Sequence, residues 1–107
     1  RRVTQDQMQE GYKDVVMNII APFLEVVGHS TFQGFTLLRY VYAPCLFAIC
    51  SNGFRNCLAL LKIDASLCQI DVMAFSCAFS LTYIDFSKVE VIYRQAIDNC
   101  DSLVEIH

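Results

Sequence analysis

The 107-residue sequence has no tryptophan, two prolines, four glycines and little charge. Its eleven acidic and eight basic residues make up 18% of the chain, against about 25% in ordinary soluble domains. The bases (Arg1, Arg2, Lys13, Arg39, Arg55, Lys62, Lys88 and Arg94) are scattered, and the net charge is −3. A nucleic-acid binder carries a basic stripe to neutralise phosphates, so nucleic acid is excluded as an expected partner. The same scatter argues against anionic membrane surfaces. The longest charge-free run, residues 40–54, contains Pro44 and Asn52–Gly53 and falls short of the ~20 residues a spanning helix needs. There is no signal-peptide pattern and no Asn-x-Ser/Thr sequon, and the start at Arg1 reads as a mature form or an excised domain.

Catalytic and cofactor motifs are missing too. The chain has no glycine-rich phosphate loop, Gly-x-Ser-x-Gly elbow, His-Glu-x-x-His pair or Asp-rich calcium loop. Of the two histidines, His29 sits at a junction between apolar segments and reads as a capping or surface residue, and His107 is terminal. Asp71 is the one acid inside a strongly apolar stretch, and reads as part of a thin polar strip. No Cys-x-x-Cys spacing points to zinc. The sequence thus predicts neither an enzyme nor a cofactor or metal site.

Apolar residues and cysteines are abundant. Apolar residues reach 55%, which predicts a heavily packed core, a buried oligomer face or a cavity for a hydrophobic ligand. Five of the six cysteines (Cys45, Cys50, Cys57, Cys68 and Cys77) fall in one apolar block, and Cys100 lies outside it. An even count in a short chain predicts three disulfides and a secreted, extracellular protein. Six buried thiols in a reducing compartment are the alternative.

Along the chain, apolar residues recur at steps of three and four. Met8, Tyr12, Val15, Val16, Ile19, Ile20, Phe23, Leu24 and Val27 predict an amphipathic helix over residues 4–27, kinked by Pro22 and stopped by Gly28. Phe32, Phe35, Leu38 and Tyr42 predict a second helix, ended by Pro44. Asn52–Gly53 reads as a break between helices, because its flanks do not alternate as hairpin strands would. Phe54, Cys57, Leu58 and Leu61 predict a short helix that turns at Ile63–Asp64. Residues 65–83 are apolar on nearly every side and predict a buried central helix. Val89, Ile92, Ala96, Ile97, Cys100 and Leu103 predict the last helix, with Ser87 and Glu90 at capping-box spacing. No internal repeat is read from these segments.

The expected fold is therefore all-α: one domain over residues 1–107, a compact bundle of five to six helices with a central apolar helix at about 65–83, braced by disulfides. Folding the chain back at Ile63–Asp64 suggests the nested pairs Cys50–Cys77 and Cys57–Cys68, leaving Cys45–Cys100, although other pairings stay open. The ten residues between Cys57 and Cys68 resemble the helix-hairpin bridge of saposin-like proteins, which would imply lipid binding. That family's paired terminal cysteine motifs are absent, and the likeness covers this one spacing.

The expected function is binding of a protein partner, as a secreted signal, toxin, effector or recognition module. The alternative is a carrier of a hydrophobic ligand or a lipid-active protein. Tyr40, Tyr42, Phe47 and Phe54 are the candidate interface, with packing in the core as the other reading, and self-association is a further use of the apolar surplus.

Overall fold

The computed structural model describes residues 1–7 and 10–103, and it contains no helical bundle. Among the described residues the helical elements are two 3₁₀ turns, Gln5–Gln7 and Glu10–Asp14. The rest of the regular structure is eight very short strands: β1 (Arg2–Val3), β2 (Asn18–Ile20), β3 (Val26–Val27), β4 (Tyr40–Tyr42), β5 (Ala48–Ile49), β6 (Lys62–Asp64), β7 (Gln69–Ile70) and β8 (Val91–Ile92). They form two parallel sheets. One has the order β1-β3-β5-β7-β8 and the other β2-β4-β6, extended by a parallel bridge from Lys62 to Tyr83. The chain visits the two sheets alternately, so it winds as a solenoid.

The register sets the repeat. Val26 pairs with Ala48, Ala48 with Gln69 and Gln69 with Val91, steps of 22, 21 and 22 residues. In the other sheet Asn18, Tyr40 and Lys62 are partners at steps of 22. We number the coils accordingly: residues 1–20, 21–42, 43–64, 65–85 and 86–103. The shorter step to the fourth coil falls between Ala65 and Leu67, where the second and third coils carry the extra residues Phe23 and Cys45.

Each coil sends the same positions inward, and the coils stack them in columns. Leu46 and Leu67 form one column, Val27, Ile49 and Ile70 another, Leu38, Leu60 and Leu81 a third, and Val41, Ile63 and Ile84 a fourth; all are buried. Phe32, Phe54 and Phe75 form an aromatic ladder, with ring centroids 5.3 and 5.5 Å apart and planes tilted by 18° and 4°. Burying such rings is worth roughly 3–5 kcal/mol each, which makes this ladder a main source of cohesion between coils. In the last described coil the same columns are less covered: Val89, Ile97 and Leu103 are partly buried and Ile92 is exposed.

A third side of the coil joins the sheets without forming a strand. Here the backbone turns through the left-handed region twice per coil, at Ser30, Asn52, Met73 and Gln95 and again at Gly34, Asn56, Cys77 and Asn99, with φ between 55° and 77°. Glycine and asparagine accept this conformation readily; the others occupy it at a cost. The gain is a second hydrogen-bond ladder. Phe32 N–H donates to Gly53 C=O, Phe54 N–H to Ala74 C=O and Phe75 N–H to Ala96 C=O, at 2.7–2.9 Å. Asn52–Gly53, expected as a break between helices, is one of these turns. Gly53 also lies in a column of small residues with Thr31, Ala74 and Ala96; a Cβ there would meet Ile49 Cγ2 at 2.5 Å.

The expected all-α bundle is thus overturned. The steps of three and four that suggested helices are the inward positions of a coil, for example Leu46, Ile49, Gly53, Phe54, Cys57, Leu60 and Ile63. Residues 65–83, expected as a buried central helix, form a coil containing β7 that buries Leu67, Ile70, Ala74, Phe75, Ala78 and Leu81 and exposes Val72, Phe79 and Tyr83.

The expected disulfides are corrected as well: all six cysteines are free thiols. Cys45 and Cys100 lie two coils apart, about 10 Å along the axis, beyond the ~7 Å between Cα atoms that a disulfide can bridge. In the adjacent coil, the register sets Asp71 beside Cys50 and Ala78 beside Cys57, so neither faces its expected partner, Cys77 or Cys68. Cys57 is a core residue, and Cys100, partly buried, packs against the core. Their thiols donate to the carbonyls of Phe32 and Phe75, one coil back in each case, at 3.1 Å.

Candidate functional site

With the interior filled by columns of side chains, chemistry is left to the outer faces. The sheet β2-β4-β6 offers the most ordered one. Strand alternation sends Ile19, Val41 and Ile63 into the core and their neighbours out. The outward residues form two rows across the strands: Asn18, Tyr40 and Lys62, continued by Tyr83, and Ile20, Tyr42 and Asp64. Tyr42, Tyr83 and Ile20 are exposed, the last at 65%.

Along one margin of this face runs an open groove of about 330 Å³, lined by Met17, Asn18, Arg39, Tyr40, Leu61 and Lys62. These are three neighbouring pairs, one from each of three successive coils, so the groove is built by the repeat. Its floor is held by backbone bonds. Arg39 N–H donates to Met17 C=O at 2.7 Å, Leu61 N–H donates to Arg39 C=O at 2.8 Å, and Thr82 N–H donates to Leu61 C=O at 3.0 Å. Those backbone groups are already paired, so along that line recognition of a partner falls to the side chains.

Its electrostatics are local. The Tyr40 hydroxyl donates to Asp64 Oδ2 at 2.5 Å, and Lys62 Nζ lies 3.6 Å from Asp64 Oδ1. The bond to the Asp64 carboxylate, with its negative charge, pushes the Tyr40 phenol above its ordinary pKa. Among the described residues the ion pairs are Lys62–Asp64 and the Arg1 α-amino group with Glu25. Arg39 is exposed, lines the groove and has no carboxylate partner among these residues.

The four expected interface residues separate. Tyr40 and Tyr42 share the face just described. Phe47 is exposed but stands at the start of β5, on the other sheet. Phe54 is fully buried in the aromatic ladder and belongs to no surface. Arg39, Leu61 and Lys62 were missed, because only the register of a repeat brings them together. A self-comparison at a shift of 22 residues, which aligns Tyr40 with Lys62, is the signal that finds them. His29 is exposed and Asp71 accepts a hydrogen bond from Gln69 at 2.7 Å. His107 lies outside the described residues. Among the described residues no group of three or more metal-ligating side chains is gathered.

A solenoid of parallel strands with 21–22-residue coils, an apolar column at each inward position and a repeated outer face is a repeat protein. Residues 17–107 match the family model of the BspA type leucine rich repeat region, in six copies. The chain belongs to that family. None of the curated proteins or solved structures compared with it matches significantly. Leucine-rich repeats offer extended surfaces to other proteins, and protein binding is the general role this fold supports.

Proposed function

We propose that this chain is a protein-interaction module, not an enzyme, and that it docks its partner on the outer face of the sheet β2-β4-β6. One observation carries the reading: Tyr40 and Tyr42 project from a rigid parallel strand beside a groove lined by Arg39, Leu61 and Lys62. Tyrosine and arginine supply large contact area and directed hydrogen bonds at little conformational cost, and they dominate binding energy at interfaces. The alternative, a carrier of a hydrophobic ligand, calls for an enclosed apolar cavity. Here the inward positions are packed against one another and the groove is open at the surface, which favours the module. The extracellular location expected from the cysteines loses its main support now that the thiols are free.

The test is site-specific photo-crosslinking. A crosslinker at position 42 captures a protein partner that one at Leu58, exposed outside the sheet, does not. The double variant Tyr40→Ala/Tyr42→Ala stays folded and loses that partner. Capture from position 58 alone, or undiminished binding by the double variant, refutes the reading.

A further inference from the structure

Building on the interaction face just proposed, we infer that its groove selects partner segments carrying an acidic side chain, seated between Arg39 and Lys62. The argument is charge complementarity. The chain is acidic overall, at −3, yet the groove is lined by two cations and no carboxylate. Arg39 has no ion-pair partner among the described residues, and Lys62 has only the loose, exposed contact to Asp64 at 3.6 Å. Asp64 lies outside the groove lining and is engaged by the Tyr40 hydroxyl, so it does not neutralise the guanidinium. A guanidinium free of carboxylates presents its fork to an incoming one, and bidentate pairing gives direction as well as attraction.

The rest of the lining fits the same occupant. Asn18 offers an amide beside the cations, while Met17 and Leu61 supply apolar walls for the methylenes of a glutamate or for a neighbouring apolar residue. The volume, about 330 Å³, is at the small end for ligand sites and suits the side chain of a bound segment better than a free cofactor. The paired backbone of Arg39 and Leu61 leaves their side chains and that of Lys62 to contact the guest, so selectivity rests on its charge.

The experiment is peptide selection on the intact chain. A random peptide library is panned against immobilised protein, and the selected peptides are synthesised and titrated. The expected result is enrichment in Asp and Glu, affinity that falls as salt is raised, and at least a tenfold loss on Arg39→Glu/Lys62→Glu. The milder pair Arg39→Gln/Lys62→Gln guards against a folding defect. Changing the acidic residue of a selected peptide to lysine restores binding to the charge-reversed protein. Neutral or basic peptides that bind wild-type and charge-reversed protein equally, yet fail on Tyr40→Ala/Tyr42→Ala, overturn the acidic preference and leave the interaction face standing. Peptides insensitive to both sets of variants overturn both. A selection that yields no peptide also counts against the acidic preference.

Discussion

The thiol of Cys57 donates to the carbonyl of Phe32, 25 residues earlier and one coil back, at 3.1 Å. Cys100 repeats the bond to Phe75 with the same separation and distance. Both cysteines thus stand in an inward column that also holds Phe35 and Ala78, Cys57 fully buried and Cys100 partly so, and each thiol proton is held by a carbonyl one coil back.

Thiol reactivity should follow this placement. Burial pushes the Cys57 thiol from its ordinary 9.0 up to about 12 and the Cys100 thiol up to about 11. Native protein at pH 8 should be alkylated fast at exposed Cys45 and slowly at Cys57 and Cys100, while unfolding without reductant should free all six. The folded chain holds these protons more tightly than the unfolded chain. The contribution of these two thiols to stability is therefore constant below about pH 9 and falls as pH rises from there toward 11–12, by up to about 1.4 kcal/mol per pH unit per group. Urea midpoints measured from pH 8 to 11 check the sign, and Cys57→Ala should flatten the decline.

Phe54 and Phe47 give a paired test of the core. Phe54→Ala empties the middle of the aromatic ladder and should cost about 3–5 kcal/mol. Phe47→Ala removes a ring that is 44% exposed and should change stability by no more than about 0.5 kcal/mol. Denaturant unfolding of the two variants distinguishes this solenoid from any arrangement in which both rings share a surface.

The left-handed turns predict a stabilising substitution. Cys77 holds φ at 63° in a column whose other members are Gly34, Asn56 and Asn99. Cys77→Asn should raise stability by about 1 kcal/mol, because asparagine adopts this conformation at lower cost. An unchanged or lowered urea midpoint would contradict the repeat register.

The groove predicts a spectroscopic shift. Tyr40 should titrate above the ordinary phenol range in an ultraviolet pH titration, since its hydroxyl donates to Asp64. Asp64→Asn should return it toward the ordinary phenol value.

How a sequence rich in apolar residues conceals its fold is visible in the third coil. Leu46, Ile49, Phe54, Cys57, Leu60 and Ile63 are all buried, and their apolar character is plain from the residues. Their spacing of three to five residues matches an amphipathic helix as well as it matches the inner side of a coil. The discriminating signal is the recurrence one coil later of Leu67, Ile70, Phe75, Ala78, Leu81 and Ile84, each 21 residues on. Tyr40 and Tyr42 were legible as an aromatic cluster that could pack inside or face a partner, whereas Arg39 and Lys62 were not legible as neighbours, because 23 residues separate them in sequence and only the register of coils brings them to one groove.

The sequence by itself determined the apolar surplus, the net acidic charge and the absence of catalytic motifs. It marked part of the core, such as Val27 and Leu81, but also set Val15, Ile20 and Phe23 inward, which the solenoid leaves exposed. It determined no secondary structure, because strands of two or three residues have almost no stability of their own. Tertiary structure decided that the apolar positions close upon their equivalents in the next coil and not upon a helical neighbour. It did so because parallel pairing, the phenylalanine ladder and the backbone bonds of the third side are made between coils, and each becomes favourable only when the next coil is in place.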